Sequence, residues 1–384
     1  MERLKERVAH IGQYAVTLLK WMVLGGVIGL VGGIIGSLFH IGVDTATQMR
    51  LAHPWVLYLM PVGGLAIVGL YRLTKTEGKG TNDIIASVHF GEQVPGLLVP
   101  VIFVSTVITH LCGGSAGREG AALQIGGGIG YQAGRLLRLG EKDLPLATLC
   151  GMSGVFAALF GTPLTATVFA LEVISVGVLY YAGLVPCLTA ALTGYLVSVL
   201  MGVPPTRFTV TVPGLEVRTL KNPYLRVGVG AAVLIGLTLL TNGDYNGAGM
   251  EVIGRAIAGQ ADPWAWVWKL LFTAITIGCG FKGGEVVPSF FVGATFGCVA
   301  AGWLGLPAGF GAAMGLVSVF CGAVNCPLAS IILSVELFGS GDLLYFAMAC
   351  SISYLISGYC GLYSSQTILY SKLRAEFINV RTHE

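Results

Sequence analysis

The stretch GGSAGREGAALQIGGGIG occupies Gly113–Gly130 and places Arg118 directly before an acid, Glu119. Small residues precede the pair, and Gly120–Leu123 after it is typical of the first turn of a helix. The unpaired N–H groups at such a helix start can hold an anion. From these residues alone two interpretations are open. The pair is either a salt-bridged corner that only fixes a turn, or part of an anion site for which Glu119 and a dissolved anion compete.

The composition around this stretch is that of a membrane protein. Of 384 residues, 54% are hydrophobic and 11% are charged, whereas soluble domains carry about 25% charged residues. A carboxylate within a membrane is costly, so it usually faces a transport pathway or an ionic partner. The formal net charge of +3 is small, which argues against a nucleic-acid partner. We therefore predict an all-α polytopic membrane protein.

Basic residues are concentrated at both ends of the chain. Met1–Arg7 and Lys372–Glu384 are both rich in Lys and Arg, and the positive-inside bias predicts that both termini are cytoplasmic. The apolar run after the first basic cluster lacks a small-residue cleavage site. We therefore expect a retained first helix rather than a signal peptide.

The apolar segments are numerous, but glycine and proline interrupt many of them. Val56–Leu70 and Ala312–Phe320, for example, are shorter than the roughly 20 residues that a helix needs to cross a bilayer. Broken helices at membrane depth are tolerated where they line a cavity or are buried in protein. This pattern is typical of transporters and channels whose helix ends meet near the midplane.

Two segments of the chain resemble each other. GMSGVFAALFGTPLTA begins at Gly151 and leads to Glu172, and GLVSVFCGAVNCPLAS begins at Gly315 and leads to Glu336. The shared Gly, Val-Phe, Pro-Leu and Glu positions keep one constant offset. A second glycine-rich stretch, Gly278–Pro288, stands near the same offset from the opening stretch. An internal repeat with interrupted helices predicts a substrate site at the repeat interface.

Three further stretches place polar residues beside predicted helix starts or near the tail. GKGTND begins at Gly78 and precedes an apolar helix, whose first N–H groups are either simply capped or meet an anion. GGEVVP begins at Gly283 and brings a second acid to a helix start. Tyr370 precedes the basic tail, and by itself a tyrosine there is typical of the membrane interface.

Together these stretches resemble the CLC family of anion channels and anion/proton antiporters, over almost the whole membrane portion. GSAGREG, at residues 114–120, is the specific signature. GGEVVPSFFVGATFG is similar to the family's later pore loop, and ILYS to its final pore tyrosine. The resemblance implies that Glu119 is the gating glutamate and that two inverted repeats of tilted, broken helices form each subunit of a homodimer. It implies an anion-binding set of Thr81, Asn82, Arg118, Gly120, Glu285, Val286, Val287 and Tyr370.

Departures from the family pattern bear on which anion is carried. GTNDI replaces the usual GSGIP; its asparagine resembles the fluoride-transporting branch, which often has methionine where Thr81 keeps a hydroxyl. Glu285 also resembles that branch, whereas Val287 stands where a threonine is expected. Val173 occupies the place of the inner proton-transfer glutamate of many chloride/proton antiporters. Glu172, which has a mate in the second repeat, is expected to be structural.

The leading hypothesis is a fluoride/proton antiporter that exports fluoride with the proton gradient. Glu119 would enter the anion site when ionised and leave it when protonated. The alternative is a chloride/proton antiporter or a passive chloride channel. An enzyme is disfavoured because the chain has no HExxH or Walker lysine motif. A purely structural membrane protein would not need Glu119 and Glu285 in apolar surroundings.

The repeat divides the chain into four parts. We expect a first membrane repeat with an N-terminal cytoplasmic helix over residues 1–209, an inter-repeat loop over 210–223, a second membrane repeat over 224–371, and a short cytoplasmic tail over 372–384 without a regulatory domain. We expect no cofactor and no metal. The expected partners are fluoride or chloride, protons, the lipid bilayer and a second copy of the chain. The expected location is the cell membrane as a multi-pass protein, in the bacterial inner membrane.

Overall fold

The structure is a computed structural model that describes residues 2–176, 178–203, 222–241, 243–359, 361–372 and 377–382, with side chains from residue 16 onward. Helices dominate these ranges. The α-helices are α1 (Glu2–Ala52), α2 (Met60–Leu73), α3 (Thr81–Phe90), α4 (Leu98–Leu111), α5 (Glu119–Leu136), α6 (Leu144–Phe160), α7 (Pro163–Glu172), α8 (Leu184–Leu200), α9 (Pro223–Leu240), α10 (Met250–Ile257), α11 (Ala265–Gly278), α12 (Val286–Trp303), α13 (Ala308–Val324), α14 (Pro327–Phe338) and α15 (Leu343–Ile356). Short 3-10 helices cover Pro54–Leu59 and Tyr181–Gly183.

The helices form a multi-pass membrane fold with many short elements. Within the described part of the chain, five helical segments are long and apolar enough to cross a bilayer: Val16–Ala52, Pro54–Leu73, Tyr181–Leu200, Pro223–Leu240 and Val286–Trp303. The other apolar helices, such as α4 and α14, have only 10–17 residues. The expectation of many interrupted helices is therefore confirmed.

Glycine lets the helices of each half pack at backbone contact. A Cβ on Gly126 of α5 or on Gly151 of α6 would collide with the other helix's backbone. In the second half the same relation holds between Gly293 of α12 and Gly315 of α13. Such close approach favours helix association in membranes, where small residues let the backbones meet. The equivalent pairs in the two halves support the predicted repeat.

The two halves meet where α7 crosses α14. The Glu172 carboxylate, at the end of α7, accepts hydrogen bonds from Leu328 N at 3.2 Å and Ala329 N at 2.9 Å, in the first turn of α14. Glu336, in the last turn of α14, accepts from Thr165 N at 3.0 Å in the first turn of α7. Each helix thus supplies the N-terminal cap of the other, which requires the two helices to run antiparallel. These bonds give Glu172 the structural role that the repeat predicts.

A small three-stranded sheet accompanies the predicted helical fold. Strand β1 (Ser175–Val176) pairs in parallel with β2 (Thr367–Tyr370), and β2 pairs antiparallel with β3 (Phe377–Arg381). Strand β3 lies within the predicted cytoplasmic tail, so part of that tail folds back onto the membrane domain. Strands of two to five residues are too short for a visible alternation of polar and apolar residues, and the sequence therefore conceals them.

The predicted inter-repeat loop lies outside the described residues except for its last two positions, 222 and 223. There Asn222 caps α9, because its Oδ1 accepts a 3.1 Å hydrogen bond from Tyr224 N.

Candidate anion site

Two glycine loops join at the centre of the molecule. Gly117 N donates a 2.7 Å hydrogen bond to Gly284 O, and Gly284 N donates one of 2.5 Å to Gly117 O. A Cβ on Gly284 would stand only 2.5 Å from Gly120 N, so the loops meet this closely only because glycine lacks that atom. The bridge brings the first turns of α5 and α12 together. Their unpaired N–H groups and positive helix ends favour a negative charge at this junction.

Glu119 already occupies part of this junction. The side chain is fully buried, and its Oε2 accepts a 2.8 Å hydrogen bond from Arg118 N. Its Oε1 lies 3.9 Å from Arg118 Nε and has no hydrogen-bond partner among the described residues. The carboxylate therefore binds a backbone N–H group at its own helix start, where a free anion would bind. The Arg118–Glu119 corner and the candidate anion site therefore coincide.

A cavity of about 180 Å³ lies next to this junction. Four residues of the predicted set line it: Thr81, Asn82, Gly120 and Glu285. Thr81 is the first residue of α3, and Glu285 directly precedes α12. The starts of α3, α5 and α12 thus converge on a single cavity.

Two lysines line the cavity. Lys79 Nζ donates a 2.6 Å hydrogen bond to Asp83 Oδ1, and this bond raises the pKa of Lys79. Lys282 Nζ stands over the ring of Tyr71, 4.8 Å from its centroid. The charge of Lys79 is therefore paired with Asp83, and Glu285 adds an acid to the same wall.

The remaining predicted residues have different positions. Val286 and Val287 are buried in the first turn of α12, and a Cβ on Gly117 would touch the Val287 side chain. The methyl groups of Val287 therefore pack against the Gly117 loop at the junction. Asn82 Oδ1 accepts a 3.2 Å hydrogen bond from Ser365 N. The Asn82 side chain thus positions the segment around Ser365 as well as lining the cavity.

The placement of Tyr370 in the site needs correction. Its ring is 48% exposed and packs edge-on against Phe377 in the sheet, with the ring centroids 5.5 Å apart. Tyr363 lines the cavity instead, and its buried hydroxyl has no hydrogen-bond partner among the described residues. Thr382, the residue directly after strand β3, holds the backbone of this tyrosine, because its hydroxyl donates to Tyr363 O.

Two glutamines in and near the site are not among the residues predicted from the sequence. Gln124, one turn after Gly120, lines the cavity and donates a 3.0 Å hydrogen bond to Thr81 Oγ1. Gln366 is fully buried and its Nε2 donates to Val173 O and Val324 O, each at 2.9 Å. The signal that could have identified both glutamines is a polar side chain within an apolar segment, because buried polar groups in folded proteins are hydrogen-bonded.

The chain matches the family described as voltage gated chloride channel over residues 62–220 and 206–358. It is 36% identical to a protein of Pseudomonas syringae pv. tomato named chloride/fluoride channel protein, over 92% of this chain and 88% of that protein. It is 24% identical to the H(+)/Cl(-) exchange transporter ClcA of Vibrio vulnificus, over 97% of this chain and 95% of the transporter. Among solved structures, a CLC-type fluoride/proton antiporter is similar with a TM-score of 0.85 and 32% identity, over 91% of this chain and 98% of the other.

Proposed function

The chain belongs to the voltage-gated chloride channel (CLC) family, and on that premise we propose that it exports fluoride across the membrane in exchange for protons. The observation that carries this proposal is the position of Glu119. Its carboxylate binds the N–H of Arg118 at the point where α5 and α12 begin. A secondary active transporter fits this geometry, in which an anion and a proton-binding group share one place.

The exchange follows from competition for the same N–H groups. An ionised Glu119 carboxylate and a bound anion repel each other and need the same donors, so they exclude each other. Protonation removes the charge of Glu119 and weakens its hold on those donors, and the acid then leaves as the anion arrives. When the anion departs, Glu119 releases its proton and returns. Because the proposed proton is taken up from the side to which the anion leaves, protons move in the direction opposite to the anion.

The Glu119 carboxyl is able to change protonation because of its surroundings. Burial favours the neutral acid, whereas the helix start and Arg118 favour the carboxylate. The Oε1 atom, which has no hydrogen-bond partner among the described residues, leaves the ionised form incompletely compensated. A carboxylate that is only partly stabilised can accept a proton at moderate cost.

Several residues support fluoride as the anion. Fluoride is small and strongly hydrated, so a site for it must replace water with many donors. The helix starts, the Gln124 amide and the Tyr363 hydroxyl supply donors around one cavity. Glu285 and Asn82 at this cavity match the features that the fluoride branch is expected to have. Two similar proteins, the chloride/fluoride channel protein and the fluoride/proton antiporter, carry fluoride in their names.

A second candidate is a chloride/proton antiporter or a passive chloride channel. It is supported by the Thr81 hydroxyl in the cavity wall and by the methyl groups of Val287 at the junction, where the fluoride branch is expected to have threonine. Val173 carries no acid, which favours the uncoupled form of this alternative. The similar exchanger ClcA carries chloride in its name.

A homodimer in the bacterial inner membrane belongs to the same proposal. It is supported by the family fold and by the bacterial origin of the similar proteins.

Efflux from loaded liposomes separates the two functions. Liposomes containing the purified protein are loaded with fluoride or with chloride, and the released anion is measured with the matching electrode. The proposal predicts that fluoride leaves much faster than chloride under the same driving force. Comparable chloride efflux would establish the second candidate and exclude selective fluoride export.

A further inference from the structure

A second cavity lies away from the anion site, where α1 ends. It measures about 440 Å³ and is bounded by the end of α1, the Pro54–Leu59 turn, the end of α9 and residues 243–246. None of its lining residues lines the cavity that holds Thr81. Four of its apolar residues are more than half exposed on the outer surface: Leu51, Trp55, Tyr58 and Leu239. Its rim is therefore continuous with the surface that faces lipid.

The cavity wall holds an arginine that has no ionic partner among the described residues. Arg50 lines the cavity, and its Nε atom is buried with no hydrogen-bond partner in the part of the chain that the structure describes. No carboxylate of the described residues forms an ion pair with this guanidinium. Burying a charged group without a partner is unfavourable, so such a group is normally satisfied by an anion.

A second basic residue lies near Arg50. Lys269 is fully buried, and its Nζ donates hydrogen bonds to Gly247 O at 2.6 Å and Tyr245 O at 3.2 Å. Arg50 reaches the same segment, because its Nη2 would lie 3.3 Å from a Cβ on Gly247. Among the described residues, the acceptors of the Lys269 Nζ hydrogen bonds are neutral carbonyl groups. Arg50 is therefore the basic residue that the cavity offers to an anion, with Lys269 behind it outside the lining.

We propose that this cavity binds one anionic phospholipid, with its phosphate on Arg50 and its acyl chain along Leu51 and Leu239. An arginine matches phosphate because its planar group offers parallel N–H donors. Trp55 and Tyr58 are the residue types that membrane proteins place at headgroup level. A soluble anion would not require the apolar, lipid-facing rim.

Tryptophan quenching by brominated lipids tests this assignment. The full chain is reconstituted in phosphatidylcholine vesicles that contain a minor fraction of brominated phosphatidylglycerol or, in parallel, of brominated phosphatidylcholine. The contribution of Trp55 is obtained by subtracting the signal of Trp55→Phe. We expect phosphatidylglycerol to quench Trp55 more than phosphatidylcholine does at the same fraction. Arg50→Gln should weaken this preference about fivefold, the effect of removing one basic contact.

Arg255→Gln is the matched control, because Arg255 is an exposed arginine paired with Asp244 at 3.0 Å. It should keep the full preference, and Arg50→Lys should keep part of it. Equal quenching by both lipids in the wild type, a comparison that needs no variant to fold, would overturn the proposal. An undiminished preference in Arg50→Gln would do the same. If the wild type shows no lipid preference but binds inorganic phosphate through Arg50, the cavity is a site for soluble anions and the lipid assignment is wrong.

Discussion

Gln124 and Thr81 are joined by a 3.0 Å hydrogen bond from the glutamine Nε2 to the threonine Oγ1. The Thr81 hydroxyl in turn donates to Gly120 O at 3.4 Å. The starts of α3 and α5 are therefore connected by a side-chain network in the wall of the cavity that Thr81 and Gln124 line. Because the Thr81 hydroxyl proton is directed at a carbonyl, Thr81 orients its neighbours as much as it offers a donor to an anion.

Thr81→Val tests this network. The change removes the hydroxyl and leaves the buried Gln124 amide without its acceptor, which costs about 1–3 kcal/mol. We expect anion flux in liposomes to fall about tenfold or more as the two helix starts lose their connection. Thr81→Ser keeps the hydroxyl and should keep most of the flux. Equal flux in the valine and serine variants would mean that the network does not shape the site.

Tyr363→Phe and Tyr370→Phe form a second test. Only Tyr363 lines the cavity with a hydroxyl that lacks a described partner. Removing that hydroxyl takes a donor from the pathway, and the expected result is anion flux reduced about tenfold. Tyr370→Phe should leave flux unchanged, because that ring packs on Phe377 in the sheet. Reduced flux in Tyr370→Phe with unchanged flux in Tyr363→Phe would assign the pore role to Tyr370.

The two tyrosines also show what the sequence can and cannot predict. Leu-Tyr-Ser occurs twice, at residues 362–364 and 369–371, and nothing in the motif chooses between the copies. The choice depends on the sheet, whose pairing with β1 and β3 fixes Tyr370 outside the cavity. Pairing of such short strands across distant parts of the chain leaves no local pattern.

Other features of the molecule could be predicted because their physical cause is local. Glycine loops before helix starts and acids in apolar segments are visible in the sequence, and they identified Glu119 and Glu285 as candidate site residues. The equal spacing of Pro163 with Glu172 and Pro327 with Glu336 revealed the repeat. Gln124 was missed because its role comes from a partner far away in the chain, Thr81. Cavities such as the one at Arg50 likewise form only when distant helices pack.

Glu172→Gln separates a structural role from a role in proton transfer. Glu172 caps α14 through two backbone hydrogen bonds, and a neutral amide accepts such bonds more weakly than a carboxylate. We expect the apparent unfolding temperature to fall by a few degrees while proton-coupled flux is retained. Glu336→Gln, the mate at the other end of the crossing, is the matched control and should behave alike. Lost coupling at unchanged stability would show that Glu172 carries protons.

The pH dependence of anion flux tests whether Lys79 changes protonation in the working pH range, as Glu119 is proposed to do. The hydrogen bond to Asp83 raises the pKa of Lys79 above its ordinary value of 10.5. A raised lysine pKa means that the charge is present below that pKa and is lost only as the pH rises through it. Lys79 therefore stays charged between about pH 5 and pH 8. Lys79→Met should lower anion flux by the same factor at each pH in this range. A factor that changes with pH would mean that Lys79 or a group coupled to it titrates there.

Proton movement driven by an anion gradient, measured in Glu119→Gln beside the wild type, shows whether Glu119 is both the gate and the proton carrier. Liposomes are loaded with fluoride, and fluoride and pH electrodes record both ions together. The wild type should take up protons as fluoride leaves, even against a proton gradient. Glu119→Gln, which is neutral and cannot exchange a proton, should show no coupled proton movement. Proton uptake that persists in Glu119→Gln would contradict the assignment of Glu119 as the shared gate and proton carrier.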